Sequence, residues 1–375
     1  MVSCSSKLKY WILAAVAAGI LLWNPLDRAV FSVRLALSLQ KMASGAAAQP
    51  AAVRESKVLH RVNGREYEAL TFRPVKSPAT SAVVLVAGLS EQGCYHPRLL
   101  ALSRLLAGMG VLVVAPDIRE FRDFQISAEP MVQILFWFDQ VPGMQGAERV
   151  RTTGLAGISY SGTLALITAA RPEIRDRVGF VAAIGPYASL LRCVRNWFAA
   201  SPSAPNNYFP TRFYAKWIVM RAALDMLDAP EDRNSLQGTL KSLLIRNQAP
   251  PADSVLTAEG KRWYRLATLP ENESDPELTR EIESYLVPRL FSQLEPQEAL
   301  PGIHCPVFLI HGAYDDLIPP GESVELHRQL ADSRLLISPF LTHTHPAGTP
   351  PSLSKRINAS LEALVFCYHL SGVLR

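Results

Sequence analysis

The sequence predicts an α/β protein in which helices cover both faces of a mostly parallel sheet, with a helical insertion in the second half of the chain. Short apolar runs rich in β-branched residues alternate along the chain with longer segments of helical periodicity. The runs are continuously apolar, which is typical of strands that are buried on both faces of a parallel sheet. Residues 188–300 lack such runs and carry helical patterns instead, which predicts the insertion.

The first elements form a predicted hairpin. Val58–Val62 and Arg65–Arg73 flank the pair Asn63-Gly64. This pair readily adopts the positive φ angles that a tight two-residue turn between strands requires. We therefore expect the two flanking segments to be paired strands.

Further apolar runs are expected to be strands of the same sheet, separated by helices. Pro97 suits the first position of a helix, where its missing N–H has no helical partner to lose, and Ser127 suits an N-cap. The predicted strands are Ala82–Ala87, Val111–Ala115, Thr153–Ile158, Val178–Ile184, Val307–Ile310 and Leu335–Ser338. The predicted helices are Pro97–Gly108, Ser127 to about Asp139, Tyr160–Ala170, Glu322–Leu330 and Leu353 to about Leu370.

These elements divide the chain into three parts. Residues 53–187 and 301–375 form the predicted α/β core, and residues 188–300 form a predicted helical lid over one end of the sheet. Residues 1–52 are expected to supply an N-terminal membrane helix and a linker. The tryptophans of the lid are expected to be core residues rather than walls of a substrate site.

The N-terminus carries an apolar segment that resembles an export signal. Tyr10–Trp23 follows Lys7 and Lys9, an order that places the N-terminal end in the cytoplasm. As a helix, at about 1.5 Å per residue, this segment is shorter than the roughly 30 Å apolar core of a bilayer. An uncleaved membrane anchor with an extracytoplasmic body is favoured, because Trp23-Asn24-Pro25-Leu26 makes a poor cleavage site. A cleaved signal with a secreted body and a buried accessory helix are the alternatives.

A second helical pattern follows the apolar segment. Phe31, Leu35, Leu39 and Met42 recur at helical spacing, which predicts a helix that lies along lipid headgroups or serves as a stalk. The small and polar residues of Ala43–Ala52 predict a linker.

Composition and charge exclude several classes of protein. The chain has 375 residues, of which 49% are hydrophobic and 19% charged, and these values exclude a disordered chain and a coiled coil. Residues 1–57 hold seven Lys and Arg against two Asp and Glu, so the rest of the chain has 31 of each sign. A neutral body disfavours nucleic-acid binding. The five cysteines show neither a C-x-x-C pair nor zinc spacing, and we expect buried thiols.

The strongest chemical motif is Gly157-Ile158-Ser159-Tyr160-Ser161-Gly162, between a predicted strand and a predicted helix. A serine on a tight strand-to-helix turn is exposed as a nucleophile, and small neighbours are needed where the backbone is crowded. The N-terminal amides of the following helix favour developing negative charge. The motif therefore predicts a nucleophilic serine, with a simple N-cap role for Ser159 as the alternative.

A carboxylate and two histidines follow later predicted strands. Asp315 lies in a loop after one strand, and Asp316 is the alternative acid. His343 lies 28 residues beyond Asp315, with one helix and one strand between them, and His345 is its competitor. Such a spacing returns the chain to the same edge of a parallel sheet. We therefore expect an acid and an imidazole near the serine, with loop histidines as the alternative.

The order of serine, aspartate and histidine along the chain resembles that of the α/β-hydrolase superfamily. The resemblance covers about residues 58–187 and 300–375. The segment Gly312-x-x-Asp315-x-x-Ile318-Pro319 is similar to the acid-bearing loop of esterases and serine peptidases in that superfamily. Ala188–Leu300 occupies the place where such enzymes often insert a lid.

The resemblance implies roles for individual groups. Ser159 is the expected nucleophile, His343 its base and Asp315 the group that orients the imidazole. The backbone N–H groups of Leu89 and Tyr160 are the expected oxyanion hole.

Two positions depart from the usual pattern of the superfamily. Ala87-Gly88 replaces a common His-Gly pair, and Ser161 occupies the place of the second glycine of the serine motif. Neither change removes a reacting group, because the oxyanion donors belong to the backbone.

The implied activity is hydrolysis of a carboxylic ester through an acyl-enzyme, with no metal or organic cofactor. The expected partners are a small-molecule ester substrate and a membrane that holds the N-terminal helix. An acyltransferase, a peptidase or amidase, and a non-catalytic binding protein of the same fold are the alternatives. The sequence identifies neither the natural substrate nor the oligomeric state.

Overall fold

The computed structural model describes residues 26–41, 52–75, 77–199, 211–252, 255–270, 273–341 and 353–375. These residues form a single eight-stranded sheet with the strand order β1-β2-β4-β3-β5-β6-β7-β8. Its strands are β1 (Val53–Val62), β2 (Arg65–Pro74), β3 (Ser81–Val86), β4 (Val111–Pro116), β5 (Thr152–Ile158), β6 (Val178–Ile184), β7 (Val307–Gly312) and β8 (Ser333–Ser338).

The sheet is mostly parallel, as the sequence predicts. β1 pairs with β2, and β2 with β4, in antiparallel fashion, whereas the pairs from β4 to β8 are parallel. The predicted hairpin is confirmed: Asn63 and Gly64 have φ angles of 51° and 75°, and Val62 pairs with Arg65. β1 begins at Val53, ahead of the predicted start at Val58, because its first residues pair with the end of β2.

Helices cover both faces of the sheet. They are α1 (residues 26–41), α2 (Pro97–Gly108), α3 (Arg119–Arg122), α4 (Glu129–Gln140), α5 (Tyr160–Ala169), α6 (Leu190–Phe198), α7 (Thr211–Ala222), α8 (Pro230–Arg246), α9 (Ala258–Thr268), α10 (Pro276–Leu286), α11 (Ser292–Leu294), α12 (Gly321–Gln329) and α13 (Leu353–Leu374). A π-helical turn, Val287–Phe291, joins α10 to α11.

Two buried clusters explain why the strands are continuously apolar. One face of the sheet packs under α1, α2 and α13, with Phe31, Leu99 and Phe366 among its buried side chains. The other face packs under α4 and α5 and extends into the helices between β6 and β7. Every residue of β3 and β4 is buried, because both faces of these strands are covered.

The predicted insertion is helical in the part of it that the structure describes. α6–α11 lie between β6 and β7, with no strand among the described residues of this stretch. Trp217 and Trp263 are buried in its core, as expected. The division of the chain into domains stays a prediction.

The helix predicted to start near Ser127 is present, but the predicted N-cap role of Ser127 is wrong. α4 begins at Glu129 with Ala128 before it, and no side chain caps its first turn. The backbone N–H of Ser127 instead donates to the Tyr160 hydroxyl, which in turn donates to the Ser127 carbonyl. Ser127 therefore belongs to a contact between the segment before α4 and helix α5, and not to a helix cap.

The described cysteines are buried thiols. Cys94, Cys193, Cys305 and Cys367 are free in the structure. Burial raises the pKa of Cys94 and Cys367 to about 12 and that of Cys305 to about 11. Thiols with such pKa values stay protonated and unreactive near neutral pH. Cys4 and the apolar segment Tyr10–Trp23 lie outside the described residues.

Candidate active site

The turn between β5 and α5 holds Ser159 in a strained conformation. Its φ and ψ angles are 59° and −128°, a region that residues other than glycine rarely adopt. Gly157 permits the tight turn, because a Cβ there would lie 2.2 Å from the Ser161 carbonyl oxygen. The sequence motif thus folds into the sharp strand-to-helix turn that it predicts.

Ser159 does not act as a helix cap. Its side chain forms no capping hydrogen bond with the first turn of α5, although it occupies the N-cap position. Its backbone N–H donates to the Ile184 carbonyl at 2.6 Å, which fixes the residue to the end of β6. The hydroxyl of the half-buried side chain is therefore not used by the helix, which removes the N-cap interpretation.

Ser161 explains how the turn tolerates a serine where related patterns have glycine. Its buried hydroxyl accepts a hydrogen bond from the Ile158 N–H at 2.8 Å. The same oxygen lies 2.9 Å from the Ile158 carbonyl and 3.1 Å from the Val86 carbonyl, to which its proton can be donated. Ser161 thus ties the end of β5 to the end of β3 beneath the turn.

The segment after β3 passes beside the serine. A Cβ on Gly88 would lie 3.8 Å from the Ser159 Cβ and 3.3 Å from the Ile158 carbonyl oxygen. Within the described residues, the N–H groups of Leu89 and Tyr160 form no hydrogen bond. Tyr160 begins α5, so its N–H is one of the first-turn donors that a helix leaves without a partner. Both N–H groups are therefore without a partner among the described residues.

Asp315 is held by the loop that follows β7. Its Oδ1 accepts hydrogen bonds from the N–H groups of Leu317 and Ile318 at 3.0 and 2.8 Å. Its side chain is buried, whereas the alternative acid Asp316 is exposed. The structure therefore distinguishes the two candidates by burial and by hydrogen bonding, and both properties favour Asp315.

His311 lies beneath this loop, and the sequence analysis did not identify it as part of the site. The imidazole is fully buried, with Nε2 2.8 Å from the Ile318 carbonyl and 3.5 Å from Asp315 Oδ2. A carbonyl can only accept, so Nε2 carries a proton and donates to the Ile318 carbonyl, while Nδ1 forms a hydrogen bond with the Ser323 hydroxyl at 2.6 Å. His311 thus fixes the shape of the acid loop. Its spacing of four residues from Asp315 was the signal available in the sequence.

The two candidate imidazoles, His343 and His345, lie outside the described residues. β8 ends at Ser338, and the described chain stops at Leu341 and resumes at residue 353. Their roles stay predictions.

A cavity of about 350 Å³ joins the serine to the acid loop. This volume suits a small-molecule ligand. Ser159 and Leu317 both line it, so the elements that carry the serine and the acid meet at one edge of the sheet. Other lining side chains come from Leu99, Ile126, Tyr187, Leu190, Ile218 and Val219. The wall is mainly apolar.

His96 is a titratable group in this cavity, directly before Pro97. The predicted helix start at Pro97 is confirmed, and Nδ1 of His96 accepts from the Arg98 N–H in the first turn of α2. Its ring also lines the cavity. Burial, and secondarily the charge of Arg98, lowers its pKa. Among the described residues, no three His, Cys, Asp or Glu side chains are grouped to hold a metal ion.

Two aromatic residues of the insertion bond to the loops of the site. The Tyr214 hydroxyl in α7 donates to the Leu89 carbonyl at 2.7 Å, and Trp197 Nε1 in α6 donates to the Leu317 carbonyl at 2.7 Å. Both side chains line the cavity. Trp197 is therefore a wall residue, unlike Trp217 and Trp263. Sequence patterns did not reveal these contacts, which depend on how the insertion packs.

Solved structures that align with this chain include a hydrolase and a phospholipase by name. A 2,6-dihydroxy-pseudo-oxynicotine hydrolase aligns with a TM-score of 0.47 and 14% identity, over 89% of this chain and 72% of its own. Est1E from Butyrivibrio proteoclasticus aligns with a TM-score of 0.47 and 15% identity, over 84% and 98%. A membrane phospholipase A, described as a bacterial virulence factor, aligns with a TM-score of 0.40 and 20% identity, over 97% and 99%. No protein-family model and no curated protein sequence matches the chain.

Proposed function

We propose that this chain is a serine hydrolase of the α/β-hydrolase type that cleaves a carboxylic ester, and the strand order and the turn between β5 and α5 support this proposal. One observation carries the proposal. Ser159 is held in a strained turn beside a cavity, with a hydroxyl that takes no part in capping α5. Strain of this kind costs about 1–3 kcal/mol and persists at functional sites.

The proposed reaction uses groups at one edge of the sheet. His343, or His345 in its place, takes the Ser159 proton as the oxygen attacks the ester carbonyl. Asp315 orients the imidazole and offsets its positive charge. The N–H groups of Leu89 and Tyr160 stabilise the oxyanion, each donor being worth roughly 3–4 kcal/mol.

Two half-reactions complete the cycle. The imidazolium returns its proton to the departing alcohol, which leaves an acyl group on Ser159. Water then gives a proton to the same imidazole as it attacks the acyl carbonyl. The imidazolium returns this proton to the departing Ser159 oxygen, which releases the carboxylic acid and the free serine. The apolar wall of the cavity favours an acyl or aromatic ester over a highly polar substrate.

The location of the enzyme is part of the proposal. The apolar segment Tyr10–Trp23 would hold the protein in a membrane, with the catalytic body on the extracytoplasmic side. Protease protection of membrane vesicles of known orientation tests this placement. A body digested only in cytoplasm-facing-out vesicles would contradict it.

Ester hydrolysis by the purified full chain tests the proposal. Short p-nitrophenyl esters should be hydrolysed by the wild type, and Ser159→Ala should lose at least about 10³-fold in kcat/KM. Of the two variants His343→Ala and His345→Ala, one should be inactive and the other active in the same assay.

A matched control uses the neighbouring serine. Ser161→Ala leaves the proposed reacting groups in place and should keep measurable turnover, whereas equal loss in both serine variants would contradict a nucleophilic Ser159. Product analysis with an added alcohol distinguishes hydrolysis from acyl transfer, and assays with matched amides address the peptidase alternative.

A further inference from the structure

The described chain carries an unusual concentration of exposed apolar side chains on two helices. In the described residues, seven of the fifteen large hydrophobic side chains that are exposed belong to α1 and α13. They are Leu26, Val30, Val33 and Leu37 of α1 and Ile357, Leu361 and Val365 of α13, each between 43% and 62% exposed. We call these seven side chains the two-helix platform.

The platform residues of α1 share one face of the helix. Positions 26, 30, 33 and 37 recur at intervals of three and four residues, the spacing of a single helical stripe. Phe31 and Leu35, on the opposite side, are buried against the sheet. α1 is therefore apolar on its inner face and on its outer face, and only the inner face has a partner among the described residues.

α13 also carries apolar side chains on both its inner and its outer face. Ile357, Leu361 and Val365 form an outer stripe at intervals of four residues, while Phe366, Cys367 and Leu370 are buried. By length and composition, Arg356–Leu374 is the one helix in the described ranges that would suffice to cross a membrane.

The inner contacts of α13 argue against a membrane-spanning role. The Phe366 ring packs edge-on against Phe308 of β7, with the ring centroids 5.7 Å apart. The Ser81 hydroxyl of β3 donates to the Leu374 carbonyl at 2.7 Å. A helix fixed to the sheet in this way can lie on the surface of a lipid bilayer but cannot span the bilayer.

Polar contacts join the two helices. Arg28 of α1 donates to the Tyr368 carbonyl at 3.1 Å, and its guanidinium carbon lies 4.6 Å from the centre of the Tyr368 ring. Asp27 pairs with Arg375 at the end of the chain. Val33 and Leu361 line the same groove, so the outer stripes lie side by side.

We propose that the two-helix platform docks on the surface of a lipid bilayer that contains anionic phospholipid. The occupant is argued from the chain that precedes the platform. The fourteen-residue apolar segment Tyr10–Trp23 ends three residues before α1 begins, so any bilayer that holds it also meets the platform.

Charge supports an anionic surface. The excess positive charge of the protein resides in residues 1–57, of which α1 itself carries Arg28, Arg34 and Lys41 against Asp27, while the rest of the chain is neutral. Arg34 of α1 and Arg356 of α13 are exposed near the platform. Basic groups next to an apolar helical face are the pattern that binds anionic headgroups.

The platform also lies next to the candidate active site. Its groove, of about 700 Å³, is lined by Val33 and Leu361 as well as by Asp315 and Ile158. Ile158 and Arg98 line both this groove and the cavity of Ser159. A docked enzyme would therefore present its site to ester lipids in the membrane, an extension that rests on the proposed function.

Depth-dependent fluorescence quenching tests the docking. The full chain, with Cys4→Ser, carries an environment-sensitive NBD fluorophore at Leu361→Cys and is reconstituted into vesicles of phosphatidylcholine and phosphatidylglycerol. Spin labels on the lipid acyl chains should quench this fluorophore and its emission should shift to the blue. The matched control is Val132→Cys, exposed on α4 on the other face of the sheet, which should show neither change.

Each other outcome overturns the docking. An NBD group at position 361 that stays accessible to iodide means that the platform faces water. An apolar environment without lipid quenching means that protein covers the platform, and disulfide formation between two copies at position 361 would identify a second chain as the cover.

A second assay tests the extension to membrane substrates. The double variant Leu361→Asp/Val365→Asp should lose at least about tenfold in hydrolysis of a long-chain ester embedded in vesicles. It should keep its rate on a water-soluble ester, as should Val132→Asp on both substrates. An equal loss of activity on both substrates in the double variant would contradict the extension to membrane substrates. A wild-type protein that is inactive on both substrates would refute the proposed function. In that case the quenching experiment alone would decide whether the platform docks.

Discussion

The turn that carries Ser159 and the loop that carries Asp315 lie at the same edge of the sheet but are held by different forces. Steric crowding and a strained backbone fix the turn, since a Cβ on Gly157 would lie 2.2 Å from a backbone oxygen. Hydrogen bonds fix the loop, which holds Asp315 through two backbone N–H groups above the buried His311.

Because the turn and the loop are held differently, different substitutions should destabilise them. A crowded turn fails when an atom is added, because backbone atoms cannot move aside cheaply. A hydrogen-bonded loop fails when a partner is removed, because a buried polar group is left without a partner. The predictions below test this contrast, from the largest expected effect to the smallest.

Gly157→Ala should have the largest effect. The added methyl group would also lie 2.4 Å from the Ser161 carbonyl carbon and 2.7 Å from the Gly162 nitrogen. We expect a loss of at least about 3 kcal/mol in the free energy of unfolding, or failure to fold. Urea denaturation followed by circular dichroism measures the loss.

A matched glycine provides the control. Gly238 lies within α8, where an added Cβ would have no atom within 4 Å apart from the backbone of its own helix, so Gly238→Ala should be neutral or stabilise by about 0.5–1 kcal/mol. A Gly157→Ala protein as stable as Gly238→Ala would show that the turn is not sterically fixed.

His311→Phe should weaken the acid loop. The change leaves the Ser323 hydroxyl and the Ile318 carbonyl without their imidazole partner, which we expect to cost about 2–3 kcal/mol. Ser323→Ala removes only the contact with Nδ1 and should cost about 1 kcal/mol. Thermal unfolding of the two variants compares their losses of stability. A larger loss in Ser323→Ala than in His311→Phe would contradict the central position of His311.

Ser161→Ala should show that the turn also uses one hydrogen-bonded support. Loss of the hydroxyl leaves the Ile158 N–H without its partner, for an expected cost of about 1–2 kcal/mol. Ser161→Gly should be no more stable than the wild type, although it restores the second glycine of the usual serine motif. Ser360→Ala, in an exposed part of α13, should change stability by less than about 0.5 kcal/mol. A stabilised Ser161→Gly would show that the hydroxyl contributes nothing.

The smallest expected effect comes from Glu295, which should make the free energy of unfolding depend on pH. Burial raises the pKa of this carboxyl, which accepts hydrogen bonds from Leu191 and Ser189 at the start of α6. The folded chain therefore binds more protons than the unfolded chain just above the ordinary pKa of glutamate. The free energy of unfolding should fall as pH rises through this interval.

Glu295→Gln should remove that part of the slope, and the exposed Glu298→Gln should leave it unchanged. Urea titrations at several pH values between about 4 and 7 measure both slopes. An unchanged slope in Glu295→Gln would show that this carboxyl does not contribute to the pH dependence.

Local patterns predicted the sheet and the turn well. The parallel strands were recognisable because full burial requires a continuous apolar run, and the Asn63-Gly64 hairpin because its φ angles restrict the choice of residues. The turn at Ser159 was predictable for the same reason, since its constraint acts between residues close in sequence.

Contacts between distant segments were not predictable. Tyr214 reaches the Leu89 carbonyl across 125 positions, and no pattern near either residue indicates the pairing. The role of His311 depends on Ser323 and on the path of the loop. Ser127 was assigned to a helix cap because serine favours that position, but its backbone groups bond to the Tyr160 hydroxyl.

The central claim is that Ser159 is the nucleophile, and a fluorophosphonate probe tests it most directly. Peptide mapping by mass spectrometry after labelling of the full chain should find one phosphonylated residue, Ser159, and labelling should disappear in Ser159→Ala but persist in Ser161→Ala. An unlabelled wild type, or a probe bound to another residue, would contradict the account.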